Sequence, residues 1–130
     1  MKTYWDSSAL VEATENAELR IRLHDQNGIT RTHALAEVFA CLTGNPERRM
    51  DHESAVEAVK NLAADLDFTD LSSAEVIAAL SQARKKGVRG GHVHDLLHAV
   101  AADKAGAQEL LTLDGNDFRG LPEKARIIEI

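Results

Sequence analysis

Short apolar, β-favouring segments recur along this chain between stretches with helix periodicity and helix caps. That alternation restricts it to an α/β architecture with a mainly parallel sheet flanked by helices. Residues 2–5 read as a strand, because Tyr4 and Trp5 suit a pleated surface, and Asp6-Ser7-Ser8 then offers cap chemistry for a short helix over 8–13. Asn16 can cap a second helix to about residue 25, although Leu19-Arg20-Ile21-Arg22-Leu23 also alternates as a strand would. Gln26-Asn27-Gly28 is a turn or helix stop, and Ile29-Thr30-Arg31 a brief strand. A helix over 33–43 ends at Gly44-Asn45-Pro46. Asp51 caps the next, with Ala55, Val56, Val59 and Leu62 on one face. Leu66-Asp67-Phe68 is a short strand. Ser72 or Ser73 opens a helix with Val76, Ile77 and Leu80 inward, ending near Lys86-Gly87. A glycine-rich basic loop over 87–91, a helix over 93–104, a strand over 109–113, a turn at Asp114-Gly115-Asn116 and a strand at Arg126-Ile127-Ile128 complete the pattern. There is no internal repeat, low-complexity tract or linker, so residues 1–130 are expected to form one domain.

With 44% apolar and 28% charged residues the chain can build a packed core. Aromatics at 4% argue against a stacking platform for single-stranded bases. The single cysteine, Cys41, lies among apolar helix residues, which excludes a disulfide framework or a cysteine-based zinc site. The first residues lack an apolar stretch of signal-peptide length, and no run approaches the roughly 18 apolar residues of a membrane helix. A reduced, cytoplasmic setting is expected. The net charge of −6 opposes broad attraction to nucleic acid and leaves room for a local basic rim.

Four acids stand at the edges of apolar segments. Asp6 follows the first strand, Glu37 lies in His33-Ala34-Leu35-Ala36-Glu37-Val38-Phe39-Ala40, Asp95 begins Leu96-Leu97-His98-Ala99-Val100, and Asp114 follows Leu110-Leu111-Thr112-Leu113. In parallel α/β sheets functional groups collect at the carboxyl ends of strands, where Asp6 and Asp114 fall. Converging carboxylates repel one another, so a divalent cation is their natural partner. Each has a plainer reading: Asp6 as a helix cap, Glu37 as a helix-edge glutamate, Asp95 as a first-turn acid favoured by the helix dipole, Asp114 as a turn residue. Asp117 is either a fifth acid or a cap. His92, His94 and His98 read as partly exposed histidines lining a polar cleft rather than a zinc site. Arg84-Lys85-Lys86-Gly87-Val88-Arg89 is either a solvated helix end or a grip on substrate phosphates, with Arg31, Arg48, Arg49 and Arg119 as further candidates.

At these residues the chain resembles the PIN-domain family, in particular the VapC-type ribonuclease toxins of toxin–antitoxin pairs. The matching pieces are Trp5-Asp6-Ser7-Ser8-Ala9-Leu10, His33-Ala34-Leu35-Ala36-Glu37-Val38, His94-Asp95-Leu96-Leu97-His98-Ala99 and Leu111-Thr112-Leu113-Asp114-Gly115-Asn116-Asp117-Phe118. They occur in the family's order over almost the whole chain. The resemblance implies a PIN-like α/β domain hydrolysing RNA phosphodiester bonds with Mg²⁺ or Mn²⁺. It implies catalytic roles for Asp6, Glu37, Asp95 and Asp114, with metal held by Asp6, Asp95 and Asp114 and Glu37 or Asp117 in support. Thr112 matches a hydroxyl residue beside the fourth acid and is a candidate substrate contact. A homodimer and a cognate antitoxin are implied partners, and no membrane. His94 departs from the family pattern, which often has an aromatic residue there.

Three other readings compete. A PIN-like domain can bind RNA or protein without cleaving. A phosphoryl-transfer enzyme can use an aspartate after a strand as nucleophile, but a second aspartate usually follows two residues on, and here that residue is Ser8. A purely structural scaffold does not require the ordered acids.

Overall fold

The computed structural model describes residues 1–47 and 49–130, so Arg48 lies outside the described residues. The chain forms a five-stranded, wholly parallel sheet, of order β3-β2-β1-β4-β5. Its strands are β1 (Thr3–Trp5), β2 (Gly28–Thr30), β3 (Leu66–Phe68), β4 (Glu109–Thr112) and β5 (Arg126–Glu129). The helices are α1 (Ser7–Ala13), α2 (Ala17–Asp25), α3 (His33–Gly44), α4 (His52–Ala63), α5 (Ser73–Ser81), α6 (Val93–Lys104) and α7 (Gly115–Phe118), with a 3₁₀ turn at Gly90–His92 before α6. The strand order runs outward from β1 to β3, then reverses to β4 and β5. The reversal opens a crevice beyond the carboxyl ends of β1 and β4, where ligands of open parallel sheets bind.

The pleat divides the core. Tyr4 and Leu110, paired across β1 and β4, pack with Leu96, Ala99, Phe118 and Leu121 from the α6–α7 side. Trp5 and Leu111, one residue on, point to the other face and pack with Leu10, Leu23, Val38, Leu42 and Leu62 from α1 to α4. The central strand is buried on both faces along its whole length.

Caps set the helix starts as the sequence suggests. Asp6, Asn16, Asp51 and Ser72 each accept the backbone N–H three residues on, and Ser72 forms a reciprocal capping box with Glu75. The ambiguous segment 19–23 is helical, held partly by Arg20, which pairs with Asp65 at 2.6 Å, while His24 meets the same carboxylate at 2.9 Å. Asp103 gathers the N–H groups of Glu123, Lys124 and Ala125 and so shapes the turn into β5.

Two sequence expectations fail on α4 and α5. Val56 is exposed, and on α5 Ile77 (64%) and Leu80 (46%) face solvent while Ala79 is buried. α5 packs chiefly on α6, so only a narrow stripe of it is covered, and it ends at Ser81 rather than near Gly87. At the end of α2, Asn27 takes the left-handed conformation (φ 51°), a role asparagine tolerates. Gly28 is instead the first residue of β2. A β-carbon there would overlap the Leu23 side chain and press on Trp5 and Leu66 at 3.3 Å. Gly28→Ala is expected to lower stability by about 1–3 kcal/mol through overpacking, as read by chemical denaturation.

Candidate active site

Asp6 is the anchor of the crevice. It leaves β1 and is 4% exposed. One oxygen accepts the Ala9 N–H at 2.8 Å and the Ser8 hydroxyl at 2.7 Å. The other accepts the Thr112 hydroxyl at 2.7 Å. Asp6 is thus both a helix cap and a carboxylate fixed at the switch point. Thr112 ends β4 and is fully buried. Its oxygen also accepts the Asp114 N–H at 3.1 Å. Thr112, a candidate substrate contact, has its hydroxyl enclosed and bonded to Asp6.

Asp95 enters from the first turn of α6 and is half-buried. Burial first, then the charge of Asp117 and, more weakly, Asp6, pushes its carboxyl up to about 6 against the opposing pull of His92 and His98. Asp114 is exposed at the start of α7. A side-chain hydrogen bond and charge from Asp117, with burial, Glu129 and Asp6 adding, raise its carboxyl above the usual value. Asp117 therefore loads both Asp95 and Asp114, and it belongs to the cluster alongside Asp114 rather than instead of it. His92 borders the group. Its Nε2 bonds the Asp117 carbonyl at 2.6 Å and lies 3.9 Å from Asp95 Oδ2.

Glu37 comes from α3 and is held differently. Its Oε1 accepts from His98 Nε2 at 2.8 Å, and His98 Nδ1 lies 2.7 Å from Tyr4 Oη. Burial keeps the Tyr4 hydroxyl protonated by raising its pKa above the usual value. The chain of bonds is satisfied when Tyr4 donates to Nδ1 and Nε2–H donates to Glu37. Burial alone would raise the Glu37 carboxyl, but the bond to His98 and the charges of His98, His33 and His94 outweigh it and hold the carboxyl below its usual value. His98 is 1% exposed, a core residue rather than part of a polar cleft. Its place in the apolar run Leu96 to Ala102 was the signal for that, whereas its pairing with Tyr4, 94 positions away, leaves no local trace.

The three histidines singled out on and before α6 thus separate: His92 to Asp117, His98 to Glu37, and His94 against His33. Of the basic segment, Lys86 is tied to the Leu121 carbonyl at 2.7 Å and faces Glu123 at 3.6 Å, while Arg84, Lys85 and Arg89 are exposed. Arg49 is exposed and Arg119 bonds Asn116 at 3.0 Å. Arg31 follows β2 with its Nε and one terminal nitrogen buried and unbonded. Between α1 and α3 a recess of about 250 Å³ is lined by Ser7, Ser8, Val11, Glu37, Cys41 and Leu113. Cys41 is exposed there rather than packed in the core.

Asp6, Asp95, Asp114 and Asp117 are oxygen donors of the kind a hard divalent cation prefers, but among the described residues no three of them bring carboxylate oxygens within 4.8 Å of one another, so the acids line the crevice without forming a closed ligand set. A family model described as PIN domain matches residues 3–124. Among solved structures, PAE2754 from Pyrobaculum aerophilum is similar at 16% identity and TM-score 0.73, over 98% of this chain and 89% of that one. VapBC2 from Rickettsia felis, bound to a DNA fragment from its promoter, is similar at 18% identity and TM-score 0.73, over 100% of this chain and 99% of that one. No curated protein matches the chain significantly.

The two kinds of carboxylate have opposite effects on stability. Asp95 binds its proton more tightly folded than unfolded, so the stability it contributes is full below about pH 4 and is lost as pH rises to about 6. After allowance for solvent screening, the loss in metal-free buffer is about 1–2 kcal/mol. Thermal melts are expected to show it, and Asp95→Asn is expected to remove it and melt higher at pH 8. Asp6→Ala is expected to lower stability by about 1–2 kcal/mol, since it deletes a cap and strands the Thr112 hydroxyl. The three bonds to Asp6 are expected to outweigh the repulsion it shares with Asp95.

Proposed function

The chain belongs to the PIN domain family, and from that premise we propose that it is a Mg²⁺- or Mn²⁺-dependent endoribonuclease of VapC type, the toxin of a toxin–antitoxin pair. The observation that carries this reading is the buried Asp6 carboxylate, fixed by Thr112 at the carboxyl ends of β1 and β4 where the strand order reverses, with Asp95, Asp114 and Asp117 bordering the same crevice. Such unrelieved negative charge, at the place where parallel sheets bind ligands, suits a cation that in turn receives a phosphodiester.

Asp6, Asp95 and Asp114 would hold the ion, with Asp117 in support. A bound divalent cation neutralises charge on the scissile phosphate and lowers the pKa of the attacking water. Asp6 supplies a rigid wall, because three hydrogen bonds allow its carboxylate one orientation. Glu37, kept ionised by His98, accepts a hydrogen bond from the attacking water and orients it. Thr112 and His98 act through Asp6 and Glu37 as positioning residues. The exposed Arg84, Lys85 and Arg89 provide a local basic rim for the RNA backbone, so selectivity rests on RNA shape and that rim rather than on the net charge of −6.

An antitoxin that places a basic side chain among these acids is the complementary partner. The exposed Ile77 and Leu80 on α5 offer an apolar face to a second copy of the chain. No helix of the described residues is long and apolar enough to cross a membrane, and a cytoplasmic setting accords with a toxin that acts on cellular RNA.

Purified, partner-free protein is expected to cut total cellular RNA in Mn²⁺. EDTA is expected to abolish cutting, and Asp6→Asn, checked to be folded, to reduce it by at least about 100-fold. Metal uptake without cleavage of any RNA would point instead to a silent RNA- or protein-binding domain. Arg89→Ala is expected to weaken RNA binding and flatten its salt dependence, measured by a filter-binding titration across salt concentrations.

A further inference from the structure

Glu37 has two imidazole neighbours that the acidic cluster does not employ. His33 lies one turn earlier on α3, and His94 lies in the first turn of α6. The two rings stack with centroids 5.6 Å apart and planes inclined by only 10°. A ring nitrogen of each and a carboxylate oxygen of Glu37 all lie within 4.8 Å of one another, and among the described residues this is the set of three or more His, Cys, Asp or Glu ligand atoms that converges so closely. We propose that His33, Glu37 and His94 form a binding site for a borderline transition-metal ion, Zn²⁺ foremost.

Two imidazole nitrogens and one carboxylate oxygen are the donors of an open, three-ligand zinc site whose remaining position takes water. Mg²⁺ prefers oxygen alone, so this site and the aspartate cluster select different ions by ligand chemistry. The local bonding suits the role. His98 occupies Glu37 Oε1 at 2.8 Å, which fixes the carboxylate and leaves Oε2 for an ion. A hydrogen-bonded support behind a ligand is the usual outer shell of a metal site, and here it continues to Tyr4. Neither His33 nor His94 makes a hydrogen bond to another described residue, and both are exposed, so their nitrogens are open to a ligand and their rings can turn. Tetrahedral zinc with bonds near 2.0–2.1 Å needs donors about 3.4 Å apart, a closure that side-chain rotation of exposed rings supplies. An ion here ties up a carboxylate that the acidic groove would otherwise present. The proposal shares only Glu37 with the nuclease reading and stands whether or not RNA is cleaved.

The test is isothermal titration of zinc sulfate into untagged, metal-stripped full-length protein, for the wild type, His33→Ala, His94→Ala and Asp95→Asn. Circular dichroism checks each variant's fold, and both histidines are exposed. One tight equivalent of Zn²⁺ is expected for the wild type, bound more than about tenfold more weakly in each histidine variant; Asp95→Asn is expected to keep that tight equivalent and to lose only weaker uptake by the aspartates. Co²⁺ in place of Zn²⁺ is expected to give the visible absorption of a nitrogen-ligated, low-coordinate site, lost in both histidine variants. The proposal is overturned if the wild type takes up no zinc, if either histidine variant binds as the wild type does, or if the tight equivalent is lost in Asp95→Asn.

Discussion

The hydrogen bonds on Asp6 hold three parts of the molecule in one place. Its carboxylate caps α1, takes the Ser8 hydroxyl, and reaches across to Thr112 at the end of β4. Its own N–H bonds the Leu111 carbonyl at 3.1 Å, so the pairing of β1 with β4 continues one residue past the strand. Because β1 and β4 flank the reversal of strand order, this residue closes the floor of the crevice and fixes where α1 departs from it. A buried carboxylate without such bonds would be costly, and with them its orientation is fixed.

Around that fixed point the other acids divide by their neighbours. Glu37 faces imidazoles and stays ionised. Asp95 and Asp114 face Asp117, and their carboxyls are raised. One side of the groove thus has its charge compensated from within the protein, through a relay that starts at a buried tyrosine. On the other side Asp117 adds negative charge beside Asp95 and Asp114, and their carboxyls are raised. The two histidines beside Glu37 blur that division, since they give the compensated side a donor set of its own.

Much of the fold was legible along the chain. Strands at Leu66-Asp67-Phe68 and Arg126-Ile127-Ile128, the helix over 93–104, and the caps at Asp6, Asn16, Asp51 and Ser72 all follow from local patterns. The misses came where local pattern and packing part. Ile77 and Leu80 have core-like side chains, but α5 lies chiefly against α6, and those two residues face away from it. Asn27-Gly28 was readable as a turn, yet Asn27 takes the left-handed conformation while Gly28 enters β2, where Leu23 leaves no space for a side chain. The acids were visible as residues at segment edges. That Thr112 is enclosed, that Asp117 presses on both Asp95 and Asp114, and that His98 sits beneath Glu37 were not visible.

The chain by itself determined the order of its elements, their caps, and the α/β class, because these rest on interactions among residues a few positions apart. It also determined which acids stand next to strand ends and helix starts. Only the tertiary structure decided which of them face one another and which face histidine. Those partners lie up to about a hundred positions apart, as with Asp6 and Thr112 or Tyr4 and His98. Their distances are set by the parallel register of β1 with β4 and by the way α3 and α6 meet over the carboxyl edge of the sheet. Electrostatic character depends on those distances, so the chemistry of the groove is a property of the fold rather than of any segment of the chain.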